Sequence, residues 1–372
     1  MPSNNALWLP AKRGALALGA APYPSPGADE IVVRNRAVAV NPVDAMTQAV
    51  GDFVFPWLKY PAIFGSDVAG EVVAVGAAVS RFKPGDRVVG HAAGTDKTRN
   101  NPAEGAFQEY PVLLEHMASP IPDAMAFEAA AVLPLGLSTA ACGLFQKDYL
   151  ALRHPSLAPT PTGKTLLVWG GSTSVGSNAI QLAVAAGYDV VATASPRNFD
   201  YCRGLGARAV FDYRSGAVVA DVIEAFRGQT CAGALAIGFG SVEACLDIVH
   251  ASKGDKFVAI ASPSVSFDNA PRGPGRALWL VPTLARLLAA SVVALMKSRL
   301  GQVRSKFIFG STLAANEVGG LIYRDFLPAA LAQGRYVAAP DPLVVGKGLD
   351  RIEAALDTLR KGVSATKVVV SL

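Results

Sequence analysis

The stretch Val168–Gly176, VWGGSTSVG, carries an apolar strand end into a loop of glycines and hydroxyls, and SNAIQLAVAAG after it reads as a helix. That arrangement suits phosphate chemistry. Small residues let a pyrophosphate approach closely, and the N–H groups opening a helix point at it. Overlaid on G-x-G-x-x-G, Gly171 takes the tight turn, Thr173 the close-approach position and Gly176 the point where helix meets strand. Thr173 is the departure from that fingerprint. Its hydroxyl, with those of Ser172 and Ser174, is expected to donate to phosphate oxygens alongside helix-terminal N–H groups such as that of Val175.

The end of the next strand chooses the dinucleotide. A site for NAD offers an acidic side chain to the ribose 2′-hydroxyl there, whereas this chain offers ATASPRNFDY, with Asp200 several residues into the helix. Ser195, Arg197 and Asn198 occupy the strand end and first turn, and a cation with hydrogen-bond donors suits a 2′-phosphate. The expected cofactor is therefore NADPH. Tyr213, closing the third strand in FDYRS, is placed to pack by the adenosine or the 2′-phosphate. Gly238 and Ile260, in ALAIG and KFVAIAS, complete the expected cofactor set.

These residues need a repeated strand–helix frame, and the chain supplies one. TLLVWG, DVVATAS, AVFDY, ALAIG and KFVAIAS alternate with helical stretches, which implies a parallel doubly wound sheet, and KFIFGS is a candidate sixth strand. The first third has another rhythm: EIVVRNRAVAVN, GEVVAVG, DRVVG and FQEYPVLL are short β-branched runs separated by turns such as KPGD. That pattern predicts a small antiparallel β domain. The C-terminal helix and strand of DRIEAALDTLRKGVSATKVVVSL are expected to return to it, giving domains 1–134 plus 316–372 and 135–315. LRHPSLAPTPTGK is an exposed connection before the first parallel strand.

At 372 residues, about half of them apolar, the chain has enough apolar surface for two cores. Its net charge of +5 is spread without the basic stripe a nucleic acid would demand. Cys142, Cys202, Cys231 and Cys245 lack C-x-x-C spacing, so free buried thiols are expected. With no signal-like N-terminal core the expected location is the cytoplasm, as a monomer or homodimer. The segment 277–296, ALWLVPTLARLLAASVVALM, is long and apolar enough for a membrane span but is interrupted by Pro282 and Arg286. An insertion helix (about 267–306) covering an apolar pocket is the preferred reading. A helix in the membrane surface comes second and a true span last.

NPVD at 41–44, YPAIFGSDVAGEVVAVGAAVSRFKPGDRVVG at 60–90, EGAFQEY, LPLGLSTA and the glycine loop occur together in the order seen in the medium-chain dehydrogenase/reductase superfamily. The chain most resembles its zinc-independent branch: quinone oxidoreductases, fungal trans-acting enoyl reductases and cipB-like proteins. The resemblance implies a GroES-like β domain plus a Rossmann domain. Zinc-dependent members carry a Cys ligand and a Gly-His-Glu segment. Here Asn41 and the GSD of Gly65–Asp67 stand at those places, and no cysteine lobe follows Gly90. No metal is expected.

Without a Lewis acid, reduction of a polarised C=C bond fits better than alcohol oxidation. Hydride reaches the β-carbon of an apolar enone, quinone or enoyl thioester, and the resulting enolate is held and protonated. The tyrosine and the lysine that serve as donors in the resembled enzymes are missing: Phe53 and Met46 or Thr47 stand near those positions. Thr139 and Asn41 are the leading catalytic candidates, ahead of Tyr60, Lys59 and water. The rival reading is a cofactor-binding protein with little catalysis, acting as a structural, sensing or docking module. A secondary alcohol dehydrogenase ranks third.

Overall fold

β-branched alternation and turn residues divide the first third of the chain into short strands. In the computed structural model, which describes residues 3–267, 270, 271, 273 and 275–372, these are β1 (Asn4–Trp8), β2 (Ala17–Ala21), β3 (Glu30–Ala39), β4 (Asp67–Val75), β5 (Arg87–His91), β6 (Val112–Leu114) and β7 (Ala118–Pro120). Four positions of the expected insertion, 268, 269, 272 and 274, lie outside the described residues. Helices α1 (Pro42–Val54), α2 (Phe127–Ala130) and α3 (Pro134–Phe145) belong to the same stretch, α1 beginning with proline at its first helical position, where the missing N–H is harmless.

From Lys164 the chain alternates: β8 (Lys164–Trp169), α4 (Ser174–Ala185), β9 (Asp189–Ala194), α5 (Phe199–Gly204), β10 (Ala209–Asp212), α6 (Val218–Ala225), β11 (Thr230–Ala236), α7 (Ser241–Ala251), β12 (Phe257–Ile260), α8 (Arg276–Leu300) and β13 (Arg304–Phe307). It closes with β14 (Asp341–Lys347), a helix at Ile352–Arg360 and β15 (Thr366–Ser371).

Two compact units result, Met1–Leu135 with Phe267–Arg276 and Ser311–Leu372, and Gly136–Ser266 with Ala277–Gly310. In the first, a seven-stranded sheet runs β14-β15-β3-β4-β5-β7, with β6 also on β3. Its buried side chains, among them Ile31, Val38, Val68 and Val370, make one core together with Phe107 from the loop before β6. In the second, six strands, every neighbouring pair parallel, run β10-β9-β8-β11-β12-β13, the order of a dinucleotide-binding doubly wound sheet. The sixth strand is β13, which begins two residues before the expected KFIFGS and ends at Phe307. Leu167, Val191, Val222, Leu246 and Val258 build the core of this unit.

All four cysteines are buried free thiols. Helix α8 forms over 25 residues with Pro282 inside it, and Thr283 is its one buried residue. Leu278 and Leu300 are each 84% exposed, so a helix covering a pocket accounts only for its less exposed stripe and leaves its outer half unexplained.

Candidate functional site

In the parallel unit the loop between β8 and α4 is drawn tight. Gly170 has φ +87°, and a Cβ on Gly176 would lie 2.2 Å from the Gly170 carbonyl oxygen. Only hydrogen fits there, which brings the start of α4 against the strand end and leaves its first-turn N–H groups, Val175 included, without helical acceptors. Thr173 is the N-cap of α4. Its Oγ1 accepts the Gly176 N–H at 3.0 Å and donates to the Gly170 carbonyl at 2.8 Å. The hydroxyl proton of Thr173, expected on a phosphate oxygen, here closes the loop on the Gly170 carbonyl. Ser172 Oγ instead accepts from Asn198 Nδ2 at 3.2 Å, so Asn198, buried, braces the loop from the neighbouring strand end. Ser174 and Val175, in the first turn, are half-buried.

Register places the two loops that would meet the adenosine side by side, since Ala194 of β9 pairs with Asp212 of β10. Ser195 is half-buried and Arg197 exposed. Tyr213 is 44% exposed, with the Arg214 guanidinium 5.4 Å from its ring centroid. Asp200, the nearest carboxylate after β9, is paired with Arg203 at 2.9 Å and points into solvent. The strand ends thus offer Arg197 and Arg214, the latter 3.6 Å from the Asp212 carboxylate that closes β10. Arg197→Ala is expected to raise the KM for NADPH about tenfold or more, the worth of one charge-assisted hydrogen bond, while leaving the KM for NADH within about twofold. Steady-state kinetics with both cofactors checks this, and equal shifts would place 2′-phosphate reading elsewhere.

Gly238, φ +94°, stands in open space at the end of β11, its carbonyl accepting from Ser241 Oγ at 2.6 Å. Ile260 is half-buried against the core and pairs with Phe307. Its side chain packs against the core of the parallel unit.

Thr139 lies on α3. A Cβ on Gly310, just past β13, would come within 2.7 Å of Thr139 Oγ1, and one on Gly136 within 2.4 Å of Ser174 Oγ. Two glycines therefore seat α3 against the carboxyl edge of the parallel strands, where ligands of such sheets bind. Thr139 is 9% exposed, and no hydrogen bond ties its hydroxyl to a described residue.

The other candidate, Asn41, belongs to the first unit. Val369 pairs with Ala39 and Ala39 with Asp67, and this register sets Lys367 across from Asn41. Asn41 Nδ2 donates to Asp67 at 2.8 Å, and its Oδ1 accepts from the Lys367 ammonium. Lys367 Nζ lies 3.0 Å from Asp67, their side chains 5% and 0% exposed. The second Asp67 oxygen takes the Leu135 N–H at 2.6 Å, and Asp44 takes the Asn41 N–H at 2.8 Å. Asn41, expected as a catalytic candidate, thus has both ends of its side chain engaged with a buried ion pair. Lys59 is exposed and Tyr60 packs against the core.

The family profile of the alcohol dehydrogenase GroES-like domain matches residues 27–123. Dehydrogenase pigH of Monascus ruber is 53% identical over 374 residues, covering all of both chains. This chain belongs to the medium-chain dehydrogenase/reductase family. Trans-enoyl reductase himH of Aspergillus japonicus is 36% identical over 99% of this chain and 97% of its own. Among solved structures, an alcohol dehydrogenase superfamily protein from Novosphingobium aromaticivorans superposes with a TM-score of 0.73 at 25% identity, covering 99% of each chain. As a medium-chain dehydrogenase/reductase the protein is an oxidoreductase of a family whose members use nicotinamide cofactors.

Two parts of this medium-chain dehydrogenase/reductase were missed in the sequence. Arg214 was overlooked beside Tyr213. Lys367, a lone cation heading the apolar run VVVS, is a legible signal, but its partner Asn41 lies 326 positions away along the chain, and Asn41 and Asp67 lie 26 positions apart. The cluster also titrates. Burial and the nearby Asp67 carboxylate push the Asp44 carboxyl from 3.8 up to about 7, and burial pushes the His91 imidazole from 6.5 down to about 4. Between those limits the folded chain keeps the Asp44 proton that the unfolded chain has released, so this contribution to stability falls as pH rises. The unfolded chain takes up the His91 proton that the folded one refuses, so that contribution rises. Asp44→Asn removes the falling arm. The variant is expected to gain more stability than its parent between about pH 4.5 and 7, read from urea midpoints; parallel profiles would refute the assignment.

Proposed function

We propose that this chain is an NADPH-dependent reductase of the C=C bond of α,β-unsaturated carbonyl compounds, enones, quinones or enoyl thioesters, working without zinc. The observation that carries the reading is the loop after β9, which offers Ser195 and the exposed Arg197 where an NAD site offers a carboxylate, while Asp212 at the end of β10 is paired with Arg214. It suits a doubly negative 2′-phosphate. The names of relatives such as trans-enoyl reductases himH and tndF support the C=C bond as target. Bound NADPH supplies the hydride. Gly170, Gly171 and Gly176 would let its pyrophosphate approach the start of α4, and the hydroxyl of Ser172 and the N–H of Val175 would hold it there.

The chain's own chemical contribution is to hold the substrate carbonyl as charge develops on its oxygen. Thr139 Oγ1, with its proton uncommitted at the carboxyl edge of the sheet, is the group for that task. Where zinc-dependent relatives are expected to have a thiol, Asn41 is locked to Asp67 and Lys367, and an amide so engaged is a poor metal ligand. The test is NADPH oxidation by the purified protein with a panel of enones, quinones and enoyl thioesters, together with metal analysis. Turnover with at least one acceptor and no bound zinc is expected. Binding of NADPH without turnover on any acceptor would favour the non-catalytic reading, and stoichiometric zinc would revive alcohol oxidation.

A further inference from the structure

Helix α8 has its polarity inverted for a helix on the surface of a protein in water. At about 100° per residue, Leu278, Leu288, Val292 and Met296 fall on its outward side, and they are 84%, 67%, 48% and 59% exposed. The opposite stripe, through Leu280, Thr283, Leu287 and Ala294, is the less exposed one. A contiguous apolar face of this kind, about 27 Å long from Leu278 to Met296, exceeds what scattered surface leucines explain.

The segment of chain that carries it has charge of one sign. From Asn269 to Asn316 the sequence holds seven Lys and Arg and no Asp or Glu. Arg286 sits at the edge of the apolar arc, and Lys297 and Arg299 close the helix. We propose that the outward half of α8 lies in the surface of an anionic lipid bilayer, its leucines in the acyl boundary and its arginines at the headgroups.

Two other occupants fit less well. A second copy seated helix against helix would bring cations onto cations. A span would have to tear α8 from its unit, where Thr283 is buried, Ala294 packs against the core and Lys297 pairs with Asp247 of α7. A helix fixed lengthwise by one stripe presents the other to a plane.

Co-sedimentation of the full chain with vesicles tests this. Binding is expected to phosphatidylcholine vesicles containing about a third phosphatidylserine, weakly to phosphatidylcholine alone, and to fall several-fold when salt is raised to about 0.5 M. The variant Leu288→Glu/Met296→Glu changes only exposed positions, so its circular dichroism and NADPH affinity should match the parent while vesicle binding drops about tenfold or more. Arg286→Gln should weaken binding to anionic vesicles alone. No pelleting with anionic vesicles, equal pelleting with neutral ones, or undiminished binding by the double variant would overturn the proposal. So would a dimer, seen by light scattering, that the same double variant converts to monomer, because it would assign the face to a second copy.

Discussion

Lys367→Met is expected to destabilise the protein by about 3–5 kcal/mol, because it leaves the Asp67 carboxylate buried without its counter-charge. Asp67 is fully buried and its oxygens also receive Asn41 Nδ2 and the Leu135 N–H, so it cannot turn to water without dismantling the start of α3. The double variant Lys367→Met/Asp67→Asn removes both charges and keeps an acceptor for the Leu135 N–H. It is expected to recover more than half of the loss. Denaturant unfolding of the three proteins measures this. A single-variant loss below about 1 kcal/mol would show the pair behaving as a solvated bridge, and no recovery in the double variant would mean that Lys367 acts through packing alone.

Thr139→Val is expected to lower kcat with a good acceptor by about a hundredfold, the cost of one missing donor to a developing oxyanion. Valine keeps the shape against Gly310, so the fold and the KM for NADPH should change little. Thr139→Ser, which restores the hydroxyl, should recover most of the rate. A valine variant with unchanged kcat would remove Thr139 from the reaction. One that loses NADPH affinity instead would make it a seating residue for α3. This experiment separates the chemistry from the cofactor site, since Arg197→Ala acts on KM for one cofactor.

The phosphate loop was legible because its requirements are local. Gly176 is needed where a Cβ would meet the Gly170 oxygen six residues away, and strand, loop and helix are contiguous. The task of Thr173 was not legible, since a hydroxyl in a glycine loop serves a phosphate or an N-cap equally well, and only the turn geometry sends its proton to Gly170. The partners of Asn41 lay further out of reach. A polar residue before a helix reads as a turn former or a donor, and it took the register of β15 on β3 and β3 on β4 to bring Lys367 and Asp67 onto it.

The order of elements, the six parallel strands and the cation-bearing strand end for a dinucleotide were determined by the sequence alone, because periodicity and turn chemistry act over a few residues. Only the tertiary structure decided which buried charges pair and which half of α8 meets solvent. Both depend on contacts between segments distant in the chain, and a one-residue slip in register or a half-turn of the helix would reverse them with the same local pattern.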